Sequence, residues 1–196
     1  QACGDHGVAL YDSVFDEVVR VSSATEAELV KLLENTFRAV NIGLINEIAM
    51  IAHELDVNVW EVVEGASTKP FGFMPFYPGP GLGGHCIPVD PLYLSWKAGQ
   101  QDIQTRFIDL ADQVNREMPR HVVRRVAELL NQEGLAVSQS SILVVGVAYK
   151  PDVSDVRESP AYDAIGLLED QDADVIYHDP HVPSFEVEGR EYDSVP

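Results

Sequence analysis

The sequence predicts an α/β protein, helical over most of its length and turning to a parallel strand-helix-strand unit near its C-terminal end. Three observations carry that prediction. Residues 24–57 hold apolar side chains at helical spacing, with only Gly43 to interrupt them. Residues 105–133 repeat the pattern. Ser141–Tyr149 is then a continuous β-branched run, and a helical stretch and a second strand follow it at the spacing of one βαβ unit.

The totals set the bounds. The chain has 196 residues, enough for one large domain or two small ones, and 45% are apolar, so it can bury a core. Its apolar runs are too short and too often broken by charge to span a membrane. Residues 1–10 have neither a basic start nor an apolar core, so no signal peptide is read there and a cytoplasmic location is expected. Cys3 and Cys86 are far apart and make no Cys-x-x-Cys pair, and the six histidines are scattered, so no metal site is expected. A disulfide between them stays open, with a reduced compartment the simpler reading.

Thirty-two acidic against thirteen basic residues give a net charge of −19. That argues against nucleic acid or an anionic membrane as partner. So acidic a surface suits a salt-rich cytoplasm, and a halophilic source is expected. Carboxylate repulsion is screened by salt, so the unfolding midpoint should rise steeply in a salt titration. Full folding at low ionic strength would refute the idea.

Val8, Leu10, Tyr11, Val14, Phe15 and Val18 recur at helical spacing, and Val18–Val21 reads as a short strand. A helix and a strand do not make a domain, so residues 1–23 read as the end of something upstream. In the long helix, Ser23 or Thr25 is the N-cap, with Glu26 and Glu28 at the dipole's positive end. Leu29, Leu33, Phe37, Val40, Leu44, Ile45 and Ala49 form its apolar stripe. A helix of this length often runs through a dimer interface. Lys31 and Asn35 share a face one turn apart, and Asn46 returns to the same azimuth. Polar residues on a helix are ordinarily solvated, but Lys31 sits among apolar neighbours and so needs a partner or a task.

A shorter helix spans about Val57 to Ala66. The loop Ser67–Gly79 is rich in proline and aromatic residues, and loops of this length in a compact domain are usually functional. Its aromatics, Tyr77 among them, suit stacking on a flat ligand. Alternatively Phe71, Phe73 and Phe76 pin the loop to the core, as is expected of at least half of them. Gly79-Pro80-Gly81-Leu82-Gly83-Gly84-His85-Cys86 then delivers a cysteine, with Asp90 four residues on. Bare backbone, as at Gly83, lets a ligand come close, and Cys86 is either a nucleophile or an inert buried thiol. Asp90 precedes Pro91 and so also reads as the N-cap of the next helix.

In residues 105–133, Phe107, Leu110, Val114, Val122, Val126 and Leu129 mark the buried side, Pro119 is a point for a kink, and Gly134 caps the end. The strand 141–149 reads as buried on both faces. A helix from about Pro160 to Asp170 and a strand Asp174–His178 complete the unit. Its first turn carries only Gly146, so it lacks the Gly-x-Gly-x-x-Gly dinucleotide fingerprint.

Three motifs occur in one order: Ala27–Asn35 with Lys31, Gly83-Gly84-His85-Cys86 with Asp90, and Tyr149-Lys150-Pro151-Asp152 through Asp155-Val156-Arg157-Glu158-Ser159-Pro160. Together they resemble the UDP-glucose/GDP-mannose dehydrogenase family over essentially the whole chain. The aromatic loop and Gly-Gly-His-Cys look most like the branch acting on UDP-N-acetylglucosamine and UDP-N-acetylmannosamine. The resemblance implies residues 1–23 as the tail of an NAD-binding Rossmann domain and 24–118 as a central all-helical dimerisation domain. Residues 119–196 then form part of a Rossmann-like UDP-binding domain, joined by the long helix. The chain is therefore expected to be a fragment of a homodimeric enzyme.

The resemblance also implies roles. Cys86 is the nucleophile, Lys31 holds the oxyanion, Asn35 is its hydrogen-bonding companion, and Asp90 handles proton and water. Tyr77, Gly83 and Lys150 bind the UDP-sugar, and Arg157 reaches the phosphates of NAD, the cofactor. Where the family donates an arginine from the partner subunit, this chain has Lys69-Pro70 and no arginine, so that role is not carried over. Two rivals are weighed: a non-catalytic dimerisation and nucleotide-binding module, and a thiol hydrolase. The latter is weak because His85 and Cys86 are adjacent, and neighbouring side chains diverge.

Overall fold

A serine sets the start of the longest helix. Ser23 Oγ accepts from Thr25 N–H at 3.2 Å and donates to the Glu26 carboxylate. The first of these bonds satisfies a donor that the first helical turn cannot, and the second holds the capping hydroxyl in place. Of the two candidate caps, Ser23 is therefore the one used, and helix α2 runs Ala24–Glu54. The bond from Ser23 holds the Glu26 carboxyl below its ordinary value.

The computed structural model describes residues 2–187 and 189–196. It divides into two compact units, Gln1–Glu34 and Asn35–Pro196, with α2 beginning in the first and ending in the second. The first unit opens with α1, Ala2–Tyr11. That helix ends before Val14, Phe15 and Val18, which the spacing includes: it closes through Asp12 N–H to Val8 O and Phe15 N–H to Tyr11 O, both 2.9 Å. The strand expected at Val18–Val21 does not form. Among the described residues of this unit no other strand offers it a ladder, and β-branched propensity alone does not make one.

In the second unit, α3 is Val59–Ser67, capped by Asn58 Oδ1, which accepts from Trp60 N–H at 3.1 Å. Helix α4 is Asp90–Gly99 and α5 is Arg106–Gln132, with Pro119 inside it. Helix α5 ends in a reciprocal pair of bonds, Leu135 N–H to Leu130 O and Gly134 N–H to Asn131 O, with Gly134 at φ +73°. A short 3₁₀ turn at Val137–Gln139 leads to β1, Ser141–Val145. Helix α6, Pro160–Glu169, and β2, Asp174–His178, follow, and β1 pairs with β2 in parallel from Ser141–Asp174 to Val145–His178. The βαβ unit predicted from sequence is thus present. An antiparallel hairpin, β3 (Ser184–Val187) and β4 (Arg190–Asp193), was not foreseen.

The core of this unit is built from α5, α6, the sheet and the hairpin. Ile165 and Tyr177 are fully buried, with Val123, Leu168, Val175, Phe185 and Tyr192 around them. Phe185 meets Tyr177 edge-on at 4.6 Å, and the Tyr177 hydroxyl donates to Val182 O at 2.8 Å, so the polar end of that ring is satisfied.

Three predicted faces are corrected. On α2 the buried side is Asn35, Ala39, Gly43, Asn46 and Ala52, while Leu29, Leu33, Phe37 and Leu44 of the apolar stripe are exposed. On α5 the buried side is Ile108, Ala111, Asn115, Met118 and Val123, and Phe107 is 79% exposed. The reason is close packing of the two helices. A Cβ on Gly43 would lie 3.2 Å from Ala111 Cβ, so small residues face inward and large ones are displaced outward. Strand β1 is likewise not buried on both faces, since Leu143 and Val145 are exposed and the core covers one side of the sheet.

Candidate active site

The face of α2 that turns inward carries amides, and they hold the glycine-rich loop. Asn46 is fully buried. Its Nδ2 donates to Asn115 Oδ1 of α5 at 2.9 Å, and its Oδ1 accepts from Gly79 N–H at 2.9 Å. Asn115 Nδ2 in turn donates to Ala39 O at 3.1 Å. Pro119 has no N–H to offer the Asn115 carbonyl one turn back. Gly81 approaches that carbonyl: a Cβ there would lie 3.1 Å from Asn115 O. The start of the loop is therefore fixed to both long helices by buried amides, each with its partners.

The end of the loop meets α2 again. Asn35 Nδ2 donates to Asp90 Oδ2 at 2.7 Å, and Arg38 Nη1 donates to Asn35 Oδ1 at 2.9 Å. Asp90 is the first residue of α4, and the cap position belongs to Val89, which makes no side-chain cap. The N-cap reading of Asp90 is thereby corrected: its carboxylate is taken by Asn35. Cys86 O accepts from Asp90 N–H at 2.8 Å and from Val89 N–H at 3.2 Å, so the half-buried Cys86 sits on the turn that opens α4. Asn35 and Asp90, predicted from separate stretches, are joined by their 2.7 Å bond at the turn that bears Cys86. Lys31 lies in the first unit, on the turn of α2 before Asn35. Arg38 was missed, although its i,i+3 relation to Asn35 was readable.

The aromatic loop departs from the expectation, since one of its three phenylalanines is packed and not half or more. Phe76 packs edge-on against Phe37 at 5.7 Å, whereas Phe71 and Phe73 are exposed. Tyr77 stacks on Trp60 with centroids 5.9 Å apart and is half exposed. At Gly83 the space a side chain would take is filled by protein. A Cβ would lie 2.8 Å from Tyr149 Cβ, 2.9 Å from Glu158 O and 3.1 Å from Pro160 Cδ.

The loop leaving β1 carries the remaining candidates. Asp179, at the end of β2, accepts from the N–H groups of Val147, Ala148 and His181 at 2.9, 3.3 and 2.9 Å. Burial raises the Asp179 carboxyl, but these donors outweigh it and hold it below its ordinary value. Lys150 is exposed, its ammonium 5.3 Å from the Tyr149 ring centroid. Arg157 is exposed and binds Asp155 through two nitrogens, at 2.9 and 2.6 Å, which lowers the Asp155 carboxyl to about 2. Between the glycine-rich loop, α5 and the start of α6 lies a cleft of about 510 Å³, lined by His85, Asp112, Arg116, Arg157 and Ser159 among others.

Among the described residues no group of three or more His, Cys, Asp or Glu could hold a metal ion, and no helix is long and apolar enough to cross a membrane. The Gly-x-Gly-x-x-Gly fingerprint is missing from the turn after β1. That turn has the single glycine Gly146, and the Asp179 carboxylate beside it accepts from the backbone of Val147, Ala148 and His181.

Comparison with known proteins agrees with these motifs. Residues 25–117 match the central domain of the UDP-glucose/GDP-mannose dehydrogenase family, and residues 143–195 match its UDP binding domain. The UDP-N-acetyl-D-mannosamine dehydrogenase of Methanococcus maripaludis is 38% identical over 177 residues, 90% of this chain and 40% of that protein. The structure of the UDP-D-ManNAc dehydrogenase of Pyrococcus horikoshii superposes with a TM-score of 0.85 at 36% identity, over 93% of this chain and 43% of its own. A UDP-glucose dehydrogenase of Pyrobaculum islandicum gives a TM-score of 0.79 at 31% identity, over 90% and 40%. The chain thus spans about 40% of the length of the curated relatives it matches. Two domain profiles in register, three motifs in order and a shared fold establish that the chain belongs to the UDP-glucose/GDP-mannose dehydrogenase family.

Proposed function

We propose that this chain is the part of a nucleotide-sugar 6-dehydrogenase that carries the catalytic thiol and part of the UDP-sugar site. The substrate is a UDP-N-acetylhexosamine, with UDP-N-acetylmannosamine first because relatives at 34–39% identity bear that name. UDP-glucose and GDP-mannose are the alternatives. The observation that carries the reading is the 2.7 Å bond between Asn35 and Asp90 at the turn bearing Cys86. It joins residues of two separate motifs beside the turn that carries Cys86.

The Cys86 thiolate adds to the C6 carbonyl at the aldehyde stage, forming a C–S bond and an oxyanion. Lys31 carries the positive charge assigned to that oxyanion, and Asn35 the assigned N–H. Collapse of the oxyanion expels hydride from C6 and leaves a thioester. Water then attacks the thioester carbonyl, the C–S bond breaks, and the acid and the thiol are released. Asp90 is assigned to take the proton from that water, and its bond from Asn35 supports the assignment by orienting the carboxylate. NAD would supply the hydride acceptor for both oxidations, and Arg157 would be this chain's contribution toward its phosphates. Lys150, Tyr77 and the Gly83 backbone are assigned to the UDP-sugar. The exposed Phe37, Leu44 and Ile51 of α2, and Phe107 and Leu110 of α5, support a homodimer through the helical part.

A second reading, a dimerisation and UDP-sugar-binding module without turnover, applies to the chain by itself, because the turn after β1 lacks the dinucleotide fingerprint. One experiment addresses both. The full-length enzyme is expected to oxidise UDP-N-acetylmannosamine at least about tenfold faster in kcat/KM than UDP-glucose. This chain alone is expected to turn over neither. Preference for UDP-glucose would overturn the substrate assignment, and turnover by the chain alone would overturn the second reading.

A further inference from the structure

We infer that Tyr149 is a positioning residue for the thiol: it is the wall of the nucleotide-domain loop against which the Cys86 turn is set. The inference rests on Cys86 as the nucleophile and extends it to a side chain with no assigned role.

Two adjacent glycines make room for this one residue. A Cβ on Gly83 would lie 2.8 Å from Tyr149 Cβ, and a Cβ on Gly84 would lie 2.8 Å from ring atom Cδ2 and 2.9 Å from Cε2. Real Cβ atoms do not approach neighbours so closely, so Tyr149 occupies space that side chains at both positions would need. Gly84 is buried, has φ +85°, and donates its N–H to Arg157 O at 3.2 Å. Two positions later the chain reaches Cys86.

Tyr149 is itself held. Its N–H donates to Asp155 O at 3.1 Å, and the two residues before it are tied by their N–H groups to the buried Asp179 carboxylate. The wall is therefore anchored to the end of β2 and does not yield with the loop it supports. The same ring lies under the Lys150 ammonium, so one side chain touches both the thiol loop and the residue assigned to the substrate.

The test uses this chain with Cys3→Ser, which leaves Cys86 as its only thiol. The readout is the pH profile of iodoacetamide alkylation at Cys86, which needs no turnover. Tyr149→Phe is expected to keep the wild-type rate within about twofold, because the ring is retained. Tyr149→Ala is expected to raise it at least about fivefold as the half-buried thiol loosens. Gly84→Ala should perturb the rate strongly with Tyr149 present and distinctly less in the Tyr149→Ala background, where the steric part of its effect is gone. If Tyr149→Ala does not fold by circular dichroism, Tyr149→Leu takes its place. An unchanged alkylation rate in a folded variant, or a Gly84→Ala effect that ignores Tyr149, overturns the inference. Failure of the nucleophile reading would show separately, as acid formation by the full-length Cys86→Ser enzyme.

Discussion

Cys86→Ser in the full-length enzyme is expected to lower uronic acid formation by at least about 10³-fold while UDP-sugar affinity changes by less than about threefold. A serine hydroxyl is almost wholly protonated near neutral pH, whereas a thiol reaches its nucleophilic form within a unit or two of it. The substitution exchanges sulfur for oxygen and changes little in volume, so the turn from Cys86 O to Val89 and Asp90 is preserved. The Asn35–Asp90 bond does not involve the thiol and is preserved with it. Acid yield by chromatography and binding of UDP-N-acetylmannosamine by calorimetry make the check. Acid formation near the wild-type rate would remove Cys86 from the chemistry. Loss of binding together with activity would make it a packing residue.

Asn46→Ala is expected to destabilise the second unit by about 2–4 kcal/mol, read as a lower urea midpoint with an unchanged slope. Asn46 is fully buried and uses both ends of its amide. Its removal leaves Asn115 Oδ1, also buried, without that donor, and Gly79 N–H without its acceptor. Each group stranded in this way costs about 1–3 kcal/mol, and the vacated volume adds to it. A loss under about 0.5 kcal/mol would mean that water replaces the amide freely and that the network does not hold the loop. Asn46→Leu keeps the volume and strands the same two groups, so it separates polar from cavity contributions.

What was readable in the sequence was local or short-range. The βαβ unit followed from a β-branched run, a helical stretch and a second run, whose order and length permit parallel pairing. The end of α5 followed from Gly134, the residue suited to a positive φ. Cys86, Asn35 and Asp90 were found because each lies in a motif whose residues are neighbours along the chain. The failures share one cause. The apolar stripe of α2 was read as its buried face because periodicity reports that a helix has an apolar side, but not what lies against it. Here the inward side is Ala39, Gly43 and Asn46, chosen by the close approach of Ala111 and by amides that pair only with each other and with backbone. The strand at Val18–Val21 failed for the complementary reason, since a strand exists only with a partner. The hairpin of β3 and β4 had a weak signal, the alternation of Phe185 and Val187 before Gly189, which short length obscured.

The sequence by itself determined the family and the order of the α-helices and of the βαβ unit. Those depend on residue types at fixed separations along one chain. The tertiary structure alone decided which groups meet: Asn35 with Asp90, Asn46 with Asn115 and Gly79, Tyr149 with Gly83 and Gly84. The physical reason is range. Propensity and periodicity act within a few residues, whereas these contacts join residues 33 to 69 positions apart, and burial and hydrogen-bond satisfaction choose them only once the chain has folded.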